Sequence, residues 1–129
     1  MKIGFNSSIA ESNDPTEDIR SIAIGKNADA SDLTYKNAQA IAIGPDSKAA
    51  CEAAVAIGSQ AEALSGGLNV AIGYRAKAEG KFSIAIGSAI GGLSANSNSQ
   101  IKAMSNADHA VQIGLGINNT ASSLQFLDY

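Results

Sequence analysis

The sequence predicts an all-β fold built as a narrow β-solenoid, and three observations predict it. A short phrase recurs as Ile22-Ala23-Ile24-Gly25, Ile41-Ala42-Ile43-Gly44, Val55-Ala56-Ile57-Gly58, Val70-Ala71-Ile72-Gly73 and Ile84-Ala85-Ile86-Gly87, with a looser copy at Val111-Gln112-Ile113-Gly114. From Gly44 the glycines follow at spacings of 14, 15 and 14 residues, the self-similarity that marks repeat architectures. The chain is 45% hydrophobic, yet its 129 residues include no Trp, three Tyr and three Phe. Small apolar side chains suit a thin core, not the thick core of a compact globule.

At the N-terminus, Ile3-Gly4-Phe5-Asn6-Ser7 parallels Ile24-Gly25-Lys26-Asn27-Ala28. Residues 1–20 are therefore expected to hold a partial repeat or cap, followed by a polar loop around Asp14-Pro15. Asp14, Glu17 and Asp18 lack the spacing of a calcium loop and read as a solvated loop.

Residues 21–114 carry the repeats. In each phrase the residues at i and i+2 share one face of a strand, and the Ala between them points the other way. β-branched residues favour the strand. The glycine ends it with a turn at φ > 0. A small-x-small segment follows: Ala28-Asp29-Ala30, Ser47-Lys48-Ala49, Ala61-Glu62-Ala63 and Ala76-Lys77-Ala78. It reads as a second strand with its small residues inward and its charges outward. Two strands and two turns make one coil of about 14 residues, stacked at about 4.8 Å per coil into a rod of roughly 35–40 Å.

The Ile-Ala-Ile strand has two apolar faces, and the residues leave open which one points inward. Ile22, Ile24, Ile41, Ile43, Val55, Ile57, Val70, Ile72, Ile84, Ile86, Val111 and Ile113 are the candidates for the coil core. Ala23, Ala42, Ala56, Ala71 and Ala85 would then form a flat uncharged strip against neighbouring chains, which implies a homo-oligomer packed along the rod. Gly25, Gly44, Gly58, Gly73, Gly87 and Gly114 are the turn glycines.

Insertions interrupt the period at Asp32 to Gln39, at Leu64 to Leu68, and between Gly87 and Gly114. The last interval is 27 residues, about two periods, and a degenerate copy is expected around Gln100-Ile101-Lys102-Ala103-Met104. Insertions in stacked repeats map to loops and often to the binding face. Residues 115–129, ending in Leu124-Gln125-Phe126-Leu127-Asp128-Tyr129, read as a capping strand or the junction to a longer fibre.

Composition excludes several classes. Charged residues are 16% and the net charge is −3, so there is no basic footprint for nucleic acid and no polybasic membrane patch. No stretch approaches the roughly 20 apolar residues of a membrane span. The opening Met1-Lys2-Ile3-Gly4 is not followed by the apolar run of a secretory signal. Cys51 is the single cysteine, so no intrachain disulfide forms, and its small neighbours make it a space-filler. His109 has no partner at metal-ligand spacing. Gly114-Leu115-Gly116 lacks the third glycine of a dinucleotide loop. Spacings of 14 and 15 do not fit the six-residue period of acyltransferase coils. No enzyme, cofactor or metal is expected.

The small/polar-Ile/Val-Ala-Ile-Gly-x-x-Ala-x-Ala phrase resembles the YadA-type head repeat, from about Ser21 to Gly114. Such repeats build the heads of trimeric autotransporter adhesins, and similar ones occur in bacteriophage tail fibres. The resemblance implies a left-handed parallel β-roll, a parallel homotrimer and a role in attachment. The ending Val111-Gln112-Ile113-Gly114 to Leu124-Gln125-Phe126 is similar to segments of phage tail-fibre proteins. There is no heptad or neck-like segment, as adhesin heads usually have. The expected setting is a virion tail fibre, with a bacterial cell surface as the alternative. The partner is a cell-surface receptor, a glycan among the candidates, contacted through Tyr35, Tyr74 and Phe82. A spacer that only carries another tip is the competing role.

Overall fold

The computed structural model describes residues 1–9, 20–31, 39–64, 67–89 and 103–114, and the strand backbones at 118–119 and 124–126. Among these residues the chain forms β1 (Lys2–Ile3), β2 (Ser8–Ile9), β3 (Ile22–Ile24), β4 (Asp29–Ala30), β5 (Ile41–Ile43), β6 (Lys48–Ala49), β7 (Val55–Ile57), β8 (Glu62–Ala63), β9 (Val70–Ile72), β10 (Lys77–Ala78), β11 (Ile84–Ile86), β12 (Met104–Ser105), β13 (Val111–Ile113), β14 (Asn118–Asn119) and β15 (Leu124–Phe126). The odd-numbered strands make one eight-stranded sheet in chain order, and the even-numbered ones a seven-stranded sheet. Neighbouring strands are parallel and one coil apart in register, for example Ala42↔Ala56 and Ile43↔Ile57. This is the parallel β-solenoid that the phrase predicts.

The turn after each odd strand up to β13 begins with glycine at φ between 123 and 149°. At Gly44 a side chain is excluded twice over. Its φ is +126°, and an added Cβ would lie 2.5 Å from the Gly58 carbonyl oxygen of the next coil. Two residues past the glycine the chain enters the left-handed region, at Asn6, Asn27, Asp46, Gln60 and Arg75, with φ of 54–58°. Asn and Asp tolerate this region best. The turn closes when the following amide bonds back to the glycine carbonyl, as from Ala28 to Gly25 at 3.3 Å. The ladder between coils continues around the corner, with the Asp46 amide on the Lys26 carbonyl at 2.8 Å and the Gln60 amide on the Pro45 carbonyl at 2.9 Å.

The interior is made of small residues, and this corrects the expected assignment of faces. Ala23, Ala42, Ala56, Ala71 and Ala85 are 0% exposed and point into the coil. They are not available as an interface between chains. Facing them are the buried rows Ala28, Ser47, Ala61, Ala76, Ala103 and Ala30, Ala49, Ala63, Ala78, Ser105. A further inward column runs through Ser21, Ala40, Ala54, Asn69, Ser83 and Ala110. Ile22, Ile24, Ile41, Ile43, Val55, Ile57, Val70, Ile72, Ile84, Ile86, Val111 and Ile113 are instead half-buried on the outside. The physical reason is thickness. Both walls line the interior with small side chains, and an inward branched residue at every coil would force them apart.

A second correction concerns the interval from Gly87 to Gly114. It is one coil with an insertion, not two coils. β11 pairs directly with β13, Ile84 opposite Val111 and Ile86 opposite Ile113. Ala103 and Ser105, flanking Met104 in β12, are the inward small-x-small pair of that coil, and β12 lies against β10. Three other lengthenings fall where the chain passes from an even to an odd strand: after β2, after β4 and after β8. Asp14, Glu17, Asp18, Tyr35 and the glycine-rich 91–98 stretch lie outside the described residues.

Cys51 is fully buried in a turn, where its thiol points to the Ala63 carbonyl at 3.9 Å. Gln112 takes the place of the inward Ala in β13, and among the described residues neither its amide nitrogen nor its oxygen finds a partner. Ala56→Leu is expected to destabilise the coil by about 1–3 kcal/mol through overpacking, read as a lower midpoint in chemical denaturation. Gln112→Met, which keeps the volume and removes the unpaired amide, is expected to raise stability by about 1 kcal/mol in the same measurement.

Candidate assembly and binding surfaces

The two outer faces of the roll differ in chemistry. On the eight-stranded sheet, each strand from β3 to β11, and β13, presents two branched aliphatic side chains outward. Parallel in-register pairing stacks them into two continuous columns, Ile22-Ile41-Val55-Val70-Ile84-Val111 and Ile24-Ile43-Ile57-Ile72-Ile86-Ile113. No charged residue interrupts either column. A contiguous apolar surface of this kind marks an interaction site.

The seven-stranded sheet turns a different face outward. Asp29, Lys48, Glu62 and Lys77 occupy successive coils in register, so the charge sign alternates along the rod. Lys77 Nζ lies 3.3 Å from Glu62 and 2.7 Å from Glu79. Burial pulls the Lys77 ammonium down, but its contacts with Glu79 and Glu62 outweigh that and raise it above the ordinary lysine value. Burial pushes the Asp29 carboxyl up. Hydrogen bonds from the hydroxyls of Ser31 and Ser8 and the Ser31 amide, together with the Lys48 charge, hold it below the ordinary aspartate value. The Ser8 hydroxyl donates at 2.7 Å and the Ser31 amide at 3.1 Å.

The corners carry the remaining polar and aromatic side-chain contacts. At the glycine corner the left-handed residues form a side-chain ladder. Asn6 Nδ2 donates to Asn27 Oδ1 at 3.0 Å, and Asn27 Nδ2 donates to Asp46 Oδ1 at 2.8 Å. Further along, Arg75 Nε donates to Gln60 Oε1 at 2.6 Å. The Arg75 guanidinium also sits over the Tyr74 ring, 5.6 Å from its centroid, while Tyr74 stays 47% exposed. Asp46, Gln60, Glu62, Arg75 and Lys77 line a groove of about 290 Å³ between this ladder and the charged sheet face. At the opposite corner Phe82 is 48% exposed and stacks on His109, ring centroids 5.4 Å apart and planes 17° from parallel.

Of the expected receptor contacts, Tyr74 and Phe82 are exposed, but they sit on different corners and do not converge. Tyr35 lies outside the described residues. His109 lies exposed in a turn beside Phe82. The groove was not anticipated. Its signal was present in the spacing, since Asp46, Gln60 and Arg75 each stand two residues after a turn glycine.

Comparison with known proteins gives one finding. The model of the YadA head domain repeat matches two copies, at residues 36–61 and 70–89. No curated protein and no solved structure matches the chain significantly.

The Asp29 contacts set a pH dependence. Its folded pKa is lowered, so its contribution to stability is fully present above the unfolded value of about 3.9 and fades as pH falls through the folded value. Asp29→Asn is expected to flatten the loss of stability on acidification below about pH 4, measured as urea midpoints between neutral and acid pH.

Proposed function

The chain carries YadA head domain repeats on a parallel β-solenoid, and from that premise we propose that it is a non-enzymatic segment of a trimeric attachment fibre. Three copies pack side by side with their rods parallel. The packing surface is the Ile/Val face of the eight-stranded sheet, and the observation that carries this reading is that face itself. Twelve branched side chains stand half-buried in two unbroken columns. Burying them against the same columns of neighbouring copies supplies the apolar burial that a small-residue interior does not. The alternating charges of the seven-stranded sheet then face water around the outside of the assembly.

The setting we propose is a bacteriophage tail fibre that contacts, or presents contacts to, a host cell surface. The ending from Val111 to Phe126 supports it through its likeness to tail-fibre segments. The alternative is the head of a bacterial trimeric autotransporter adhesin, which the matched repeat favours. The sequences flanking this segment in its full-length gene separate the two: a C-terminal membrane anchor means an adhesin, and a baseplate-binding region means a phage fibre. A third role, a stiff spacer behind another tip, predicts that the isolated segment does not bind cells.

The assembly is tested by mass. Light scattering is expected to give three times 13.0 kDa, and Ile57→Lys, which places a charge in the centre of the apolar face, is expected to lower the mass toward that of one chain. A wild-type monomer would refute the oligomer. An unchanged mass in Ile57→Lys would move the interface elsewhere.

A further inference from the structure

The residue two beyond each of the turn glycines from Gly4 to Gly73 adopts a left-handed backbone, and successive coils bring these residues into one column at about 4.8 Å intervals. Asp46, Gln60 and Arg75 are consecutive members of that column. The adjacent outward column of the seven-stranded sheet supplies Glu62 and Lys77, so two in-register ladders wall the groove.

Three properties define what the groove takes. Its walls carry two carboxylates, one amide, one guanidinium and one ammonium, so donors and acceptors interleave while the formal charges cancel. Neither a polyanion nor a polycation is drawn there by net field. Among the described residues no apolar side chain lines it, which removes the anchor pocket that a peptide side chain or an acyl chain needs. Tyr74, nearly half exposed, is joined to the groove through one of its lining residues, because the Arg75 guanidinium lies over its ring and Arg75 Nε holds Gln60. A neutral ligand dense in hydroxyl groups, each both donor and acceptor, with an aliphatic ring face to lay against an aromatic edge, meets all three conditions. We propose that this groove is a binding site for a neutral saccharide. The proposal rests on the reading of the segment as an attachment module and not a spacer.

The test is saturation-transfer NMR on the 129-residue chain. Lactose, maltotriose and N,N′-diacetylchitobiose serve as neutral probes, with sialyllactose and a heparin tetrasaccharide as anionic ones. At least one neutral probe is expected to receive saturation. Its affinity is expected to fall roughly tenfold or more in the Gln60→Asn/Arg75→Asn double variant and in Tyr74→Ala. Lys81→Ala, exposed at the far corner, is expected to leave it unchanged. Asn suits the left-handed backbone at positions 60 and 75, so the double variant keeps its turns, and its thermal midpoint checks this. Glu62→Gln, which keeps the side-chain shape, is a second groove variant expected to weaken binding should the first lose its fold. Transfer to no neutral probe, transfer to the anionic probes alone, or equal transfer in wild type and groove variants would each overturn the site. Host-cell binding of the same variants, and of Phe82→Ala at the other candidate contact, keeps the two readings apart. Attachment that survives the groove variants but vanishes in Phe82→Ala refutes the groove and leaves the attachment function standing. Attachment absent even in the wild-type trimer refutes the attachment function itself.

Discussion

The two walls of each coil face one another with alanine and serine, and the chain's other features follow from how little room that leaves. A buried Ala gains far less from leaving water than a buried Ile, so the interior alone is a modest source of stability. What replaces it is the backbone ladder, which continues through the glycine corners as well as the strands, as in the bond from the Asp46 amide to Lys26. That continuity requires the coils to approach one another at every turn. A Cβ on Gly44 or Gly58 would sit 2.5 Å from the carbonyl oxygen of the next turn glycine. The thin interior and the glycine corner are two sides of one requirement, close backbone stacking in both directions.

The same constraint moves the large apolar residues outside. With no space inside, the β-branched residues that the strand favours accumulate on the outer face of the eight-stranded sheet. An apolar face of that extent is unfavourable in water. The charge distribution assigns complementary roles, since the ionic ladder lies on the seven-stranded sheet and none of its members intrudes among the Ile and Val columns. The apolar and the charged surfaces are thus divided between the two sheets of one narrow rod.

The strands, the glycine turns and the small-x-small second strand were legible because each depends on local chemistry repeated at a fixed interval. The direction of the faces was not, because the usual rule places the larger apolar residue inside. That rule presumes an interior thick enough to receive it. The opposing rows, Ala28-Asp29-Ala30 and its counterparts, held the correction, since their small members must face inward if their charges face water. The interval from Gly87 to Gly114 was misread because its length happens to approximate two periods. Only the pairing of Ile84 with Val111 distinguishes one long coil from two short ones. The groove escaped because its residues differ in type at each coil and share only a backbone conformation and an offset from glycine.

Near-identical repeats carry a hazard that the charged ladder addresses. Any coil of this solenoid could stack on the coil after next, because Ile-Ala-Ile-Gly pairs equally well with each copy of itself. In the native order Asp29, Lys48, Glu62 and Lys77 bring opposite charges together at every step. Skipping one coil would set Asp29 against Glu62, or Lys48 against Lys77. Like charges directly opposite one another in a sheet are destabilising, and opposite pairs contribute roughly 0.2–1 kcal/mol each. Each contribution is small, but skipping the Lys48 or the Glu62 coil both loses favourable pairs and gains an unfavourable one. The apolar columns and the glycines cannot distinguish one register from another, so the discrimination falls to the residues that look most like indifferent solvated surface.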